Sequence, residues 1–313
     1  MGAGREAAIG TFPQAACAGG EKRSGRDHVT PILLINETEE NLPVTTRAVS
    51  TWSLHRTLGR FTGPDSAINS GRFIDAEPSP DGLPLLELPG ELKQRGYDAV
   101  QICHFHLPPR SPTHLGELRA ALDESGIELD ALLIDDGDLT SATAADGAEN
   151  WIGGWLDTAT ALGARRARVC AGRSAPTAET LGESAQRLVR LAASHPDVRV
   201  VTENWMELLP DANSVLALLA ATGDSLGLMI DLGNWSGPDK YDELARIASH
   251  AETCHAKCRF PDSTPDRDDF ERALQILKDG GFDGPLALIY DGPDDDEWTA
   301  LDTEFEIVQS VFG

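Results

Sequence analysis

The chain has 313 residues, 41% of them hydrophobic and 25% charged, which is enough to bury a large core, and no apolar stretch approaches the length of a membrane span. A formal net charge of −25 would repel phosphate backbones and anionic lipid over much of the surface, which argues against nucleic acid or membrane as partners. Five cysteines (Cys17, Cys103, Cys170, Cys254 and Cys258) are odd in number and mostly lie inside apolar runs, as buried thiols in a reducing compartment do.

Residues 1–45 read as a disordered extension. Gly, Ala, Pro and charged residues dominate the first 30 positions, and PILLIN at 31–36 is too short and isolated to seed a core. No continuous apolar segment of a secretory signal is visible, so the cytoplasm is the expected location. From residue 46 to 313 the texture changes to a single domain. Strand-like runs follow in order: AVSTWSL near 48–54, DAVQICHF near 98–105, ELDALLI near 128–134, RARVCAG near 166–172, then VRVVTEN, LGLMIDL, AETCHAK and PLALIYD. Helix-like segments separate them, among them HLGELRAALDESG, NWIGGWLDTATALG and DFERALQILKDGG, several closing on a glycine stop. Strict alternation of strand and helix over some 265 residues predicts a closed (β/α)8 TIM barrel. An open dinucleotide-binding sheet is the alternative, but HRTLGRF after the first strand supplies no glycine-rich phosphate turn. There is also no P-loop and no G-x-S-x-G elbow.

The carboxyl ends of barrel strands carry the chemistry, and four successive runs end in groups that can hold a divalent cation: Glu203, Asp231, His255 and Asp291. The steps between them are 28, 24 and 36 residues (231−203, 255−231, 291−255), the size of βα repeats, so parallel strands would bring them together. Three carboxylates and one imidazole suit a hard or borderline ion such as Mn²⁺, Mg²⁺, Co²⁺ or Zn²⁺. Cys254 and Cys258 are spaced like half a zinc site, but no second pair completes it. The other strand ends offer His55, His104, His106 and Arg173 as substrate-binding candidates. His104 and His106 would share one face of an extended strand, one touching substrate and the other structural. Arg173 would clamp an anionic group. Trp52, Trp205 and Trp235 can stack on a sugar face or simply pack. Asn204 and Asn234 can bond to the ligands or close turns, and Lys257, on the same strand face as His255, can meet a substrate oxyanion or sit solvated on the rim.

E-N at the end of the fifth run, D-x-G-N at the sixth and H-A-K at the seventh resemble the sugar phosphate isomerase/epimerase superfamily, also described as xylose-isomerase-like barrels. The resemblance runs from Arg47 to the C-terminus. It implies a divalent cation held by carboxylates of strands five and six, an imidazole of strand seven and a carboxylate of strand eight, matched by Glu203, Asp231 and His255. Many members carry a glutamate at the end of strand eight. That slot is Ile289 here, so Asp291, two residues on, is taken as the fourth ligand. The activity implied is metal-dependent isomerisation or epimerisation of a sugar or sugar-like hydroxyketone through an enediolate, with Glu203 removing the proton and Asp291, or a water it orients, returning one. The partner is then a small carbohydrate. Barrels of this kind often pair, though no motif specifies a homo-oligomer. The alternatives are a metal-dependent lyase on a keto-sugar conjugate, a phosphodiesterase acting on abasic DNA, which would need more metal ligands and a basic face, and a barrel that binds without catalysis.

Overall fold

The structure, a computed structural model, describes residues 46–59, 82–107 and 110–313. The expected disordered extension over 1–45 lies outside these residues. Eight parallel strands close in sequence order: β1 (Arg47–Ser50), β2 (Ala99–Cys103), β3 (Glu128–Ile134), β4 (Arg166–Val169), β5 (Arg199–Glu203), β6 (Gly227–Asp231), β7 (Ala251–Lys257) and β8 (Leu286–Ile289). The ring shuts where β1 meets β8, with Arg47 opposite Leu286 and Val49 opposite Leu288. Helices α1 (Leu88–Gln94), α2 (Pro112–Ser125), α3 (Ala145–Leu162), α4 (Ala178–Ser194), α5 (Ala212–Thr222), α6 (Lys240–Ile247), α7 (Arg267–Asp279) and α8 (Glu297–Phe312) connect and cover the strands. Among the described residues no helix is long and apolar enough to cross a membrane.

Period-two alternation in the strands sorts two apolar layers. Outward-facing residues such as Val100, Leu132, Val200, Leu228 and Leu288 pack against the helices. Inside the barrel, Cys103, Ala131, Leu133, Val201 and Met229 fill one layer, and Ala48, Ala99 and Ala287 a narrower one. Helix ends follow local chemistry. Thr177 and Thr180 form a capping box at the start of α4, Asp211 and Ser214 do so for α5, and Gly163 ends α3 at φ 75, a left-handed value that glycine adopts without strain.

Two expected strands are shorter than their apolar runs. β1 stops at Ser50, whose hydroxyl accepts from the Trp52 amide, and Thr51–Leu54 form a 3₁₀ helix. β2 likewise stops at Cys103, and His104–His106 form a second 3₁₀ turn, so these two histidines do not share a strand face. Their environments diverge. The His104 ring lies against Trp151 and Trp155, while His106 meets the Thr51 hydroxyl and Phe105.

One buried group carries a stability prediction. Glu304 on α8 is fully buried, and neither carboxylate oxygen has a hydrogen-bond partner among the described residues. Burial, reinforced by Asp291 and opposed by Lys257, pushes its carboxyl well above the usual range. A raised carboxyl must take up a proton on folding. Its contribution is therefore complete below the unfolded value and declines as pH rises toward the folded one, by about 1.4 kcal/mol per unit. Glu304→Gln should raise the melting temperature at pH 8 and flatten the fall in stability above pH 5 in a denaturation series; an unchanged pH slope would show that Glu304 is not neutral in the fold.

Candidate functional site

Glu203 and Asp231 end β5 and β6, His255 lies two residues before the end of β7, and β6–β7 pairing sets Asp231 directly opposite His255. One ligand atom from each lies within 4.8 Å of the other two, and all three residues are buried. Each group has one side fixed and one side turned inward. Asp231 Oδ1 accepts from the backbone amides of Gly233 (2.6 Å) and Asn234 (2.8 Å), and its Oδ2 stands 3.6 Å from His255 Nδ1. Glu203 Oε1 accepts from the Asn234 side-chain amide at 2.6 Å, and its Oε2 stands 3.6 Å from the same nitrogen. The D-x-G-N sequence thus orients both carboxylates. Its glycine also makes room, because a Cβ on Gly233 would sit 2.8 Å from the stem of Lys257.

These atoms face a cavity of about 280 Å³ that Trp52, Leu133, Asp135, Arg168, Trp205, Asn234, Lys257 and Ile289 also line. Met206, at φ 63, makes the sharp turn just after Trp205. Arg168 is a cavity residue that sequence reasoning passed over. Nearly buried on β4, it pairs with Asp135 at 2.5 Å, places Nε 3.1 Å from Glu203 Oε2 off the line of a hydrogen bond, and lies 5.1 Å from the Trp205 ring centre. An arginine inside the apolar run RARVCAG was the available signal, since such a group is rarely buried without a partner.

Several expected substrate contacts lie elsewhere. The Asn204 side chain is spent on the backbone of Asp231, accepting from its amide at 2.7 Å and donating to its carbonyl at 3.0 Å, which pins β5 to β6. His55 packs behind Trp52 against Phe105 and His106. The Arg173 guanidinium pairs with Asp136 at 3.3 Å. Trp235 donates to the Leu209 carbonyl in the core. Asp291, expected as the fourth ligand, stands apart from the other three. β8 ends at Ile289, whose side chain takes the inward position, and beyond it the Asp291 carboxylate is bound by Lys257 Nζ at 2.5 Å. The strand that would have carried Asp291 to the same face as Ile289 has already ended.

Charge decides what the cavity accepts. Burial disfavours an ionised Asp135, yet Arg168 and His104 hold it well below the usual carboxylate range. For Glu203, burial is likewise outweighed by His255 and Arg168, so it too stays ionised. Burial opposes the Lys257 ammonium, but Asp231 and Asp291 keep it charged. Burial also opposes a charged His255, while Glu203 and Asp231 push it up to about 9. A proton on Nδ1 then sits between two carboxylates, where a metal ion would. With His255 neutral, the carboxylates of Glu203, Asp231, Asp135 and Asp291 outnumber the cations Arg168 and Lys257 by two charges, which one divalent cation balances. Glu203 Oε2 is buried without a hydrogen bond among the described residues. Two inward carboxylate oxygens and one imidazole nitrogen fit a hard or borderline ion.

Residues 90–307 match a family model described as Xylose isomerase-like TIM barrel. No curated protein sequence matches the chain. Among solved structures, a xylose isomerase-like TIM barrel protein from Mycobacterium smegmatis in complex with magnesium superimposes with a TM-score of 0.60 at 14% identity, covering 86% of this chain and 98% of that one. D-psicose 3-epimerase from Clostridium cellulolyticum H10, solved with D-tagatose, gives 0.56 at 14% identity, covering 72% and 93%. A probable 3-DHS dehydratase involved in petrobactin synthesis, from Bacillus anthracis, gives 0.60 at 14% identity, covering 84% and 98%. At these identities the likeness is one of fold.

Proposed function

We propose, from the premise that this chain belongs to the xylose isomerase-like TIM barrel family, that it is a divalent-metal-dependent isomerase or epimerase of a sugar or sugar-like hydroxyketone. The observation that carries this reading is the convergence of Glu203, Asp231 and His255 within 4.8 Å at the wall of the cavity. Glu203 Oε2, Asp231 Oδ2 and His255 Nδ1 would hold the ion. When bound, it would polarise a substrate carbonyl and the adjacent hydroxyl, acidifying the C–H of the hydroxyl-bearing carbon.

The remaining steps belong to the chain. Glu203 is the carboxylate that removes the proton, with Asn234 holding its Oε1 in place. The Lys257 ammonium stabilises the developing oxyanion and delivers a proton to the other carbon or face. Asp291 acts through Lys257, keeping Nζ charged and directed, in place of the ligand and acid role expected for it. Trp52 and Trp205 exclude water and offer flat apolar faces to the ring of a sugar. The test is metal analysis of the purified chain followed by incubation with Mn²⁺ and a panel of ketohexoses in D₂O. Deuterium entering a carbon next to the carbonyl supports the reading; bound metal with no exchange into any of the sugars counts against it.

One observation favours a second reading, β-elimination. Lys257 brings an ammonium to the cavity, and it can protonate a departing hydroxyl or alkoxide. Assaying keto-sugar conjugates for released aglycone separates elimination from epimerisation. A multi-metal phosphodiesterase has less support, because Glu203, Asp231 and His255 are the one group of three such ligands found among the described residues.

A further inference from the structure

We infer that Gln101, buried in the middle of β2, is a positioning residue that decides which nitrogen of His255 faces Glu203 and Asp231. His255 Nε2 lies 2.8 Å from Gln101 Oε1. An amide oxygen can only accept, so Nε2 must carry the proton and Nδ1 is left to face the two carboxylates. The orientation of the amide is itself determined. Its nitrogen donates to Asp130 Oδ2 at 2.7 Å and to Thr253 Oγ1 at 3.1 Å. A carboxylate cannot donate, so the amide cannot turn round without leaving Asp130 Oδ2 against an oxygen.

The chain of constraint extends further. Thr253 Oγ1 donates to the same Asp130 oxygen at 2.8 Å, and Arg166 pairs with the other. Asp130 reaches the interior through a bulge. Val100 pairs with Leu129 and Gln101 with Ala131, leaving Asp130 the extra residue. Gln101, Asp130 and Thr253 are fully buried in a barrel whose other interior layers are mostly apolar. Such a network costs desolvation, which a purely structural core would avoid with apolar side chains of the same volume. The arrangement runs from the Arg166 charge through Asp130 to the Gln101 amide and ends at the imidazole.

This inference rests on the proposed metal site for its consequence, while the hydrogen bond can be read without metal. The experiment uses the full chain with Gln101→Met, of similar length but without an acceptor, and Gln101→Glu, which keeps an acceptor toward His255. Mn²⁺ affinity is measured by titration calorimetry, and the His255 Nε2–H cross-peak by ¹H–¹⁵N NMR on metal-free protein labelled at histidine. Gln101→Met should weaken Mn²⁺ binding by about 10–100-fold, the usual loss when a ligand's supporting hydrogen bond is removed, and should abolish the protected cross-peak. Gln101→Glu should retain both, although it disturbs Asp130 at least as much. Unchanged affinity in Gln101→Met, or equal losses in the two variants, would overturn the inference in favour of a packing role. If the wild type takes up no Mn²⁺, the proposed function fails. The NMR comparison then decides alone, and absence of a protected cross-peak in the wild type would sink the inference.

Discussion

Glu203→Gln should reduce turnover by about 10³-fold at saturating Mn²⁺, within the range removed when a positioned general base is lost. The substitution keeps the length and one carbonyl oxygen of the side chain, so Asn234 still has an acceptor and the cavity keeps its shape. What disappears is the basic oxygen and one negative charge beside His255 and Arg168. Metal binding should weaken as well, so the assay must be run at metal concentrations that saturate the variant. Deuterium exchange then isolates the chemistry. The variant should lose exchange at the carbon next to the carbonyl in parallel with turnover, because removal of that proton is the step Glu203 performs. Full exchange in the presence of bound Mn²⁺ would remove Glu203 from the role and direct attention to Asp135 and Asp231, the other carboxylates lining the cavity.

The barrel itself was legible because its signals are periodic. Eight apolar runs separated by helical segments appear as eight parallel strands in sequence order, and Glu203, Asp231 and His255 stand where strand ends place them. The signal weakened where backbone geometry changed without a change in hydropathy. TWSL after β1 and HFH after β2 are as apolar or aromatic as the strands before them, yet both turn into 3₁₀ helices, which sends His104 and His106 in different directions. Asp291 falls beyond the strand pattern for a related reason. Alternation predicts a shared face only while the chain remains extended, and β8 ends two residues too early. The groups that sequence reading missed, Arg168 and Gln101, are polar residues in the interior of buried strands. Their presence in RARV and AVQIC was visible, but their partners come from other strands, Asp135 and Glu203 for the first and His255 and Asp130 for the second. Local spacing carries no information about such pairs, which only barrel closure brings together.

Metal affinity should rise about tenfold per pH unit from pH 6 to about 9 and then level off, because the ion and a proton compete for His255 Nδ1. Burial alone would lower the imidazole, but Glu203 and Asp231 push it up to about 9. At pH 7 the metal-free site therefore holds a proton, and each Mn²⁺ bound should release close to one; calorimetry in two buffers of different ionisation enthalpy counts it directly. Folding stability of the metal-free chain follows from the same shift. A raised histidine contributes fully below its unfolded value near 6.5 and loses that contribution as pH climbs through 9, a decline of roughly 3 kcal/mol from this group. Excess Mn²⁺ should oppose the decline, since binding strengthens over the interval in which the proton is lost. The gap between metal-loaded and metal-free melting temperatures should therefore widen from pH 6 to pH 9. A gap that stays constant, with no proton released on binding, would mean that Mn²⁺ does not enter between Glu203, Asp231 and His255, and any metal the chain binds would have to be sought elsewhere.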